Sequence, residues 1–256
     1  MIRIRRDPVR PLVRPIVAFS LLIILCVAGC RNARVRELEP APPPHVKPLR
    51  PQERSVQGLL ESLGVRYHPA ERSLEVSGWV NLNDAPVEVF ACAPGGKTHE
   101  AVVVLDCVPS GLHAGLLALG LKPRTPTGAG LDRKRAPFSG DRVLVQVRWT
   151  GRDGRERNTR AEDWVWNAGR GRAMERVGWV FTGSLTYQVP GKEDERLYAA
   201  DHVKSLVTTF HDATAVLETP LPEASDDTAY RANPSVVPAR GTSITVIFSP
   251  AGSGEP

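Results

Sequence analysis

The sequence predicts an α+β fold: a mostly antiparallel β-sheet domain with one or two short helices, preceded by a cleaved signal peptide and a Pro-rich linker. Three observations predict it. Short segments rich in Val, Ile, Phe and Trp recur from Val65 to Phe248, and several alternate apolar with polar residues, as strands with one covered face do. A single stretch, Ser110–Gly120, carries leucines at helical spacing. No internal repeat is visible, and the roughly 225 residues behind the signal suffice for one large or two small domains; one domain is the reading here.

Taken in order, residues 1–29 read as the signal. Arg3, Arg5, Arg6, Arg10 and Arg14 precede an uncharged apolar run from Ile16, and Val27-Ala28-Gly29 then places small side chains before Cys30. That is the order of a secretory signal peptide. Leu25-Cys26-Val27-Ala28-Gly29-Cys30 resembles the lipobox of bacterial lipoproteins, which implies that Cys30 is lipidated and becomes the first residue of the mature chain. Cys26 follows Ile23-Ile24-Leu25, too bulky for a peptidase pocket that takes small side chains. The run from Ile16 to Gly29 falls short of the roughly 20 residues a helix needs to cross about 30 Å of hydrocarbon, so a cleaved signal fits better than a retained anchor. Acyl chains such as palmitate bury methylenes at about 0.8 kcal/mol each, and two or more chains make anchoring stable.

Residues 30–54 form the lipidated start and a tether. Six prolines between Pro40 and Pro51 favour extended polyproline II, a semi-rigid spacer reaching about 3 Å per residue. Arg31 follows the lipid cysteine in place of an aspartate. By the sorting habit of enterobacterial lipoproteins this points to the periplasmic side of the outer membrane, with the outer face of the inner membrane as the other location.

The folded domain is expected over residues 55–250. Ser55–Leu63 reads as a short helix stopped by Gly64. Val65–His68 and Leu74–Val80 read as strands joined by a turn at Pro69–Arg72. Val87–Cys92 and Glu100–Leu105 follow, the second continuously apolar, as a strand covered on both faces is. Pro109 opens the clearest helix and Gly120 closes it. Val143–Trp149, Trp164–Trp166, Gly178–Thr182, Leu206–Phe210 and Ser243–Phe248 are further strands, and residues 251–256 a loose tail.

Charge narrows the partners. The chain carries a formal +5 from 33 Lys and Arg against 28 Asp and Glu; the signal holds five of those arginines and one acid, leaving 28 bases against 27 acids. The mature part is nearly neutral, so a nucleic-acid partner, which needs a basic face on the domain itself, is not expected. Seven arginines between Arg148 and Arg172, interleaved with acids and with Trp149, Trp164 and Trp166, read as a solvated sheet edge that resists pairing.

Pro86-Val87-Glu88-Val89-Phe90-Ala91-Cys92-Ala93-Pro94-Gly95-Gly96-Lys97-Thr98-His99-Glu100, then Leu112-His113-Ala114 and Leu119-Gly120-Leu121, resemble the YdjY-type domain of bacterial lipoproteins and exported proteins. Trp179–Ser184 and Tyr198–Asp201 are similar to segments of the larger relatives. The resemblance spans about residues 55–250. Some relatives have been described as ferredoxin-like, but this chain has two mature cysteines beyond Cys30 and no Cys-x-x-Cys, so a four-cysteine iron–sulfur site within one subunit cannot be built. No cofactor is expected.

The candidate ligand site is Gly95, Gly96, Lys97, His99 and Glu100, with His113 beside it. The plain reading is a turn between strands, because adjacent glycines supply positive φ at no steric cost. The functional reading is a site for a small anion or an envelope protein: glycines open backbone N–H groups to a ligand, Lys97 adds a point charge, and His99 with Glu100 offers proton transfer. The spacing is neither that of a Walker loop nor that of a zincin. Cys92, His99, Cys107 and His113 match no compact metal spacing, and no metal is expected. Cys92 and Cys107 are either a disulfide or buried free thiols. If Pro94–Lys97 closes a tight hairpin, Cys92 lies opposite about His99, with Cys107 roughly 20 Å further on at strand rise, beyond the roughly 7 Å a bridge allows. Ser184 follows Gly183, but no Gly-x-Ser-x-Gly elbow makes it a nucleophile. The sequence therefore reads as a membrane-anchored binding or interaction module whose ligand and oligomeric state it does not specify. The alternative is an extracytoplasmic hydrolase or redox accessory protein using the Lys97-His99-Glu100 loop.

Overall fold

The computed structural model describes residues 51–124, 140–189 and 191–252. The signal segment, Cys30, the tether up to residue 50 and the last four residues of the tail lie outside them. Helix α1 (Pro51–Ser62) begins four residues ahead of the expected Ser55. It leads through β1 (Arg66–His68) into β2 (Ser73–Val80), β3 (Val89–Cys92) and β4 (Ala101–Leu105), and α2 (Pro109–Ala118) follows. The second half runs β5 (Arg142–Thr150), β6 (Glu156–Arg160), β7 (Val165–Asn167), β8 (Arg172–Ala173) and β9 (Trp179–Phe181). A hairpin of β10 (Thr186–Val189) and β11 (Lys192–Tyr198), helix α3 (Ala199–Val203), β12 (Ser205–Thr208), β13 (Leu217–Glu218), β14 (Tyr230–Ala232) and β15 (Ser243–Pro250) complete it. The domain is mostly β with three short α-helices among the described residues, one more than the expected one or two.

Eight strands pair in the order β2-β15-β5-β9-β13-β12-β3-β4, and β4 pairs back onto β2, so the sheet closes on itself. Closure removes the free edges an open sheet would present. Alternation fills the inside. Val76, Val246 and Val147 share one row across β2, β15 and β5, and Leu74, Phe248 and Val145 share the next; all six are fully buried. The intervening Glu75, Ser77, Gln146, Arg148 and Thr245 point outward, as the period-two pattern requires. At the closing seam Gly78 lies opposite Leu105, and a Cβ there would stand 2.2 Å from the carbonyl oxygen of Val104. Only glycine lets β2 and β4 approach this closely.

The expected hairpin at Pro94–Lys97 is corrected. β3 and β4 run parallel, with Val89, Ala91 and Cys92 paired to Ala101, Val103 and Val104. Residues 93–100 therefore cross from the end of one strand to the start of its parallel neighbour. A parallel crossover usually takes a dozen or more residues, and a 3₁₀ turn at Thr98–Glu100 compacts this one. β12 and β13 are likewise parallel; the other pairings are antiparallel.

The arginine-rich segment is an edge. β6 pairs only with β5 and is mostly exposed, while Trp149 and Trp164 turn inward and meet edge to face at 5.2 Å. Trp164 belongs to a 3₁₀ turn and not to the strand, which starts at Val165. Glu162 in that turn has no exposed surface. It accepts from Arg160 Nη2 at 2.6 Å and from the Gly178 backbone N–H at 3.0 Å, so the buried carboxylate is both paired and hydrogen-bonded.

Candidate functional site

The crossover is held by its own backbone. Gly96 N–H donates to the Ala93 carbonyl, Thr98 N–H to Gly96, and Glu100 N–H to Lys97, while Ala93 N–H reaches the Lys204 carbonyl. From β2's end, the buried Asn81 amide donates to the carbonyls of Thr98 and Ala101. Gly95 takes φ +81° in open space, and Gly96 lies so near Lys204 that a Cβ would meet that side chain at 2.8 Å. Both glycines are thus required by the turn. The N–H groups of Gly96, Thr98 and Glu100 are taken up within the loop and are not open to an anion.

The side chains of the loop compensate one another. Lys97 Nζ stands 3.1 Å from Glu100 Oε1 and 3.9 Å from Glu88 Oε2. His99 Nε2 lies 3.7 Å from Glu100 Oε2, with 79% of its side chain exposed. Burial, together with the charge of Glu100, pushes the Glu88 carboxyl above its ordinary value. Burial works to lower Lys97, but the hydrogen bond and charge of Glu100, with Asp212 and Glu88, outweigh it and hold the ammonium above its usual range. One lysine faces several carboxylates, so the cluster favours a cationic surface over a free anion.

His113 stands elsewhere. On α2 it packs edge to face against Phe181 at 5.1 Å and Tyr198 at 5.4 Å, and its Nδ1 is 2.7 Å from the Tyr198 hydroxyl. That hydroxyl also donates to the Gly183 carbonyl at 3.1 Å. Burial lowers the His113 pKa, favouring the neutral ring, and raises that of Tyr198, with the Asp201 charge adding to the latter. The structure joins Lys97, His99 and Glu100 in one cluster and gives His113 a different set of partners.

Tyr198 and Asp201, part of the family resemblance but assigned no role by the sequence, are what His113 and the start of α2 meet. Pro109 has no N–H, and Val108 ahead of it offers no side-chain cap, so the start of α2 needs an acceptor from outside. Asp201 on α3 supplies it, accepting from Ser110 N–H at 2.7 Å. Nearby, Ser184 takes φ +60°, donates to the Thr214 carbonyl at 2.6 Å and accepts from Ala200 N–H at 3.0 Å, so its hydroxyl braces backbone. Cys92 and Cys107 are free buried thiols, and burial pushes both up to about 12. Cys92 packs with Val89, Ala101 and Val104 in a small cluster of its own. Among the described residues, no three His, Cys, Asp or Glu side chains are grouped to hold a metal, and no helix is long and apolar enough to cross a membrane.

A model of the YdjY domain family matches residues 67–249, and the chain belongs to that family. No curated protein and no solved structure matches the chain.

Proposed function

We propose that this YdjY-domain protein is an extracytoplasmic lipoprotein, acylated on Cys30 and moored to the periplasmic side of the outer membrane, whose domain docks an envelope protein through Glu88, Lys97, His99 and Glu100. The observation that carries the docking reading is the part-exposed cluster of Glu88, Lys97 and Glu100, with His99 at the surface, on a crossover braced by backbone hydrogen bonds. A rigid rim of unequal charge steers and selects a complementary partner, here one presenting Lys or Arg. A small anion is less well served, since Lys97 already neutralises a carboxylate. The catalytic alternative needs His99, Glu100 and His113 on one reacting atom, and the contacts of His113 lie with Tyr198 and Phe181 instead.

The test is cross-linked co-purification of the full chain from envelope membranes, comparing wild type with a Glu88→Gln, Glu100→Gln double variant. The reading expects a partner whose recovery falls about tenfold in the variant, a change of about 1.4 kcal/mol, while the variant still unfolds in one cooperative transition no lower than wild type. Equal recovery from both proteins contradicts it.

A further inference from the structure

The closed sheet carries a second polar surface, on the outward side of β2, β15 and β5, built from residues outside the crossover cluster. Register puts its side chains in two rows. Thr245 is flanked by Ser77 and Arg148, and Ser243 stands opposite Trp79. On β6, Glu156 is paired to Thr150. These residues, Trp79 apart, line a hollow of about 350 Å³. A neighbouring hollow of about 430 Å³ shares Trp149 and Thr150 with it and extends towards Asp153 and Arg157. Each is within the range of small-molecule sites, roughly 300–1,000 Å³.

The lining has a definite chemistry. Among the described residues, the hydroxyls of Thr150, Ser243 and Thr245 and the Glu156 carboxylate take no intramolecular partner. Arg148 is fixed by a 2.7 Å bond from Nη2 to Glu75, which leaves further guanidinium N–H donors facing outward. Glu75 also accepts from Arg66 at 3.3 Å, so one carboxylate is shared by two guanidinium groups, and Glu156 in the lining brings a second negative charge to this face. Trp79, at the rim beside Ser243, is 39% exposed, a large flat ring left in water.

We propose that this face binds a neutral oligosaccharide, with the Trp79 indole stacking on the C–H face of one sugar ring while Ser77, Ser243, Thr245, Arg148 and Glu156 take its hydroxyls. A sugar ring has an apolar face and a rim of groups that both donate and accept, and the surface supplies a counterpart to each. A phosphate would meet Glu156 and an arginine already paired. β15 is bonded on both sides, and an added peptide strand would have to pair with the outer edge of β6, whose exposed Glu156 and Arg157 resist such pairing. Two adjoining hollows suit a chain of sugar units in preference to a single one. The inference does not depend on Cys30 acylation or on the crossover cluster.

The test is calorimetric titration of the full-length chain with chitotetraose, cellotetraose and maltotetraose. At least one should bind with a Kd of about 1 mM or tighter. Trp79→Ala should weaken that binding about tenfold, and Trp79→Phe should keep most of it, because a ring remains to stack on. Thr245→Val should weaken it about threefold, close to one neutral hydrogen bond, and decides the matter if the alanine variant fails to fold. Absence of binding by all three oligosaccharides overturns the proposal. So does wild-type affinity in a folded Trp79→Ala or Thr245→Val protein.

Discussion

At the β3–β4 crossover, Lys97, His99 and Glu100 meet water and one another, whereas at the α2–α3 junction His113, Tyr198 and Asp201 meet rings and backbone. Both regions present a histidine near an acid, and a linear reading joins them into one site. Their environments separate them. Exposed pairs gain little, because water screens them and long side chains lose freedom in pairing; half-buried groups cannot lose a partner without leaving an uncompensated polar atom. The difference teaches that the residue types name the chemistry available, while burial decides whether it holds the fold or faces a partner.

The largest loss of stability is expected at the junction. Tyr198→Ala removes the ring between His113 and the Gly183 carbonyl, and urea unfolding should show a loss of about 3 kcal/mol. Asp201→Asn removes the charge at the start of α2, and the same measurement should show about 1 kcal/mol. An effect of Tyr198→Ala no larger than that of a loop variant would erase the distinction between the two regions.

The pH dependence should carry opposite signs in the two places. The folded pKa of His113 lies below its unfolded value, so its contribution is present above the ordinary histidine range and is lost as pH falls towards the folded value. For Glu88 the folded pKa lies above the unfolded one, so stability is lost as pH rises through it, in the carboxylate range. Urea midpoints across pH should therefore flatten near neutrality in His113→Gln and only in the acid range in Glu88→Gln. The smallest effect belongs to the loop itself: Lys97→Ala should change stability by no more than about 0.5 kcal/mol, checked by thermal melting.

Much of the sheet was legible. β2, β5 and β15 alternate cleanly, and the buried side chains are the apolar set expected to face inward. The continuous apolar run of β4 announced a covered strand, and all five of its residues are buried. Closure was not legible, because no local pattern shows that β4 runs parallel to β3 and pairs back onto β2, and its one local trace is the small residue at Gly78. Pro94-Gly95-Gly96 carries the chemistry of a tight turn whether the next strand returns antiparallel or crosses over, so the hairpin expectation failed there.

The candidate site shows the same split. Lys97, His99 and Glu100 are neighbours in sequence and remain so in space. Tyr198 and Asp201 sit where a charged strand, Lys192–Tyr198, meets a five-residue helix. Neither offers an apolar period to read, so their link to His113 and Ser110 emerges only from packing.

The functional account rests on a chain moored outside the cytoplasm, and mass spectrometry of the amino-terminal peptide from envelope membranes tests that most directly. The account predicts a chain that begins at Cys30 and carries fatty acyl groups. An unacylated chain that still begins at Met1 would contradict it.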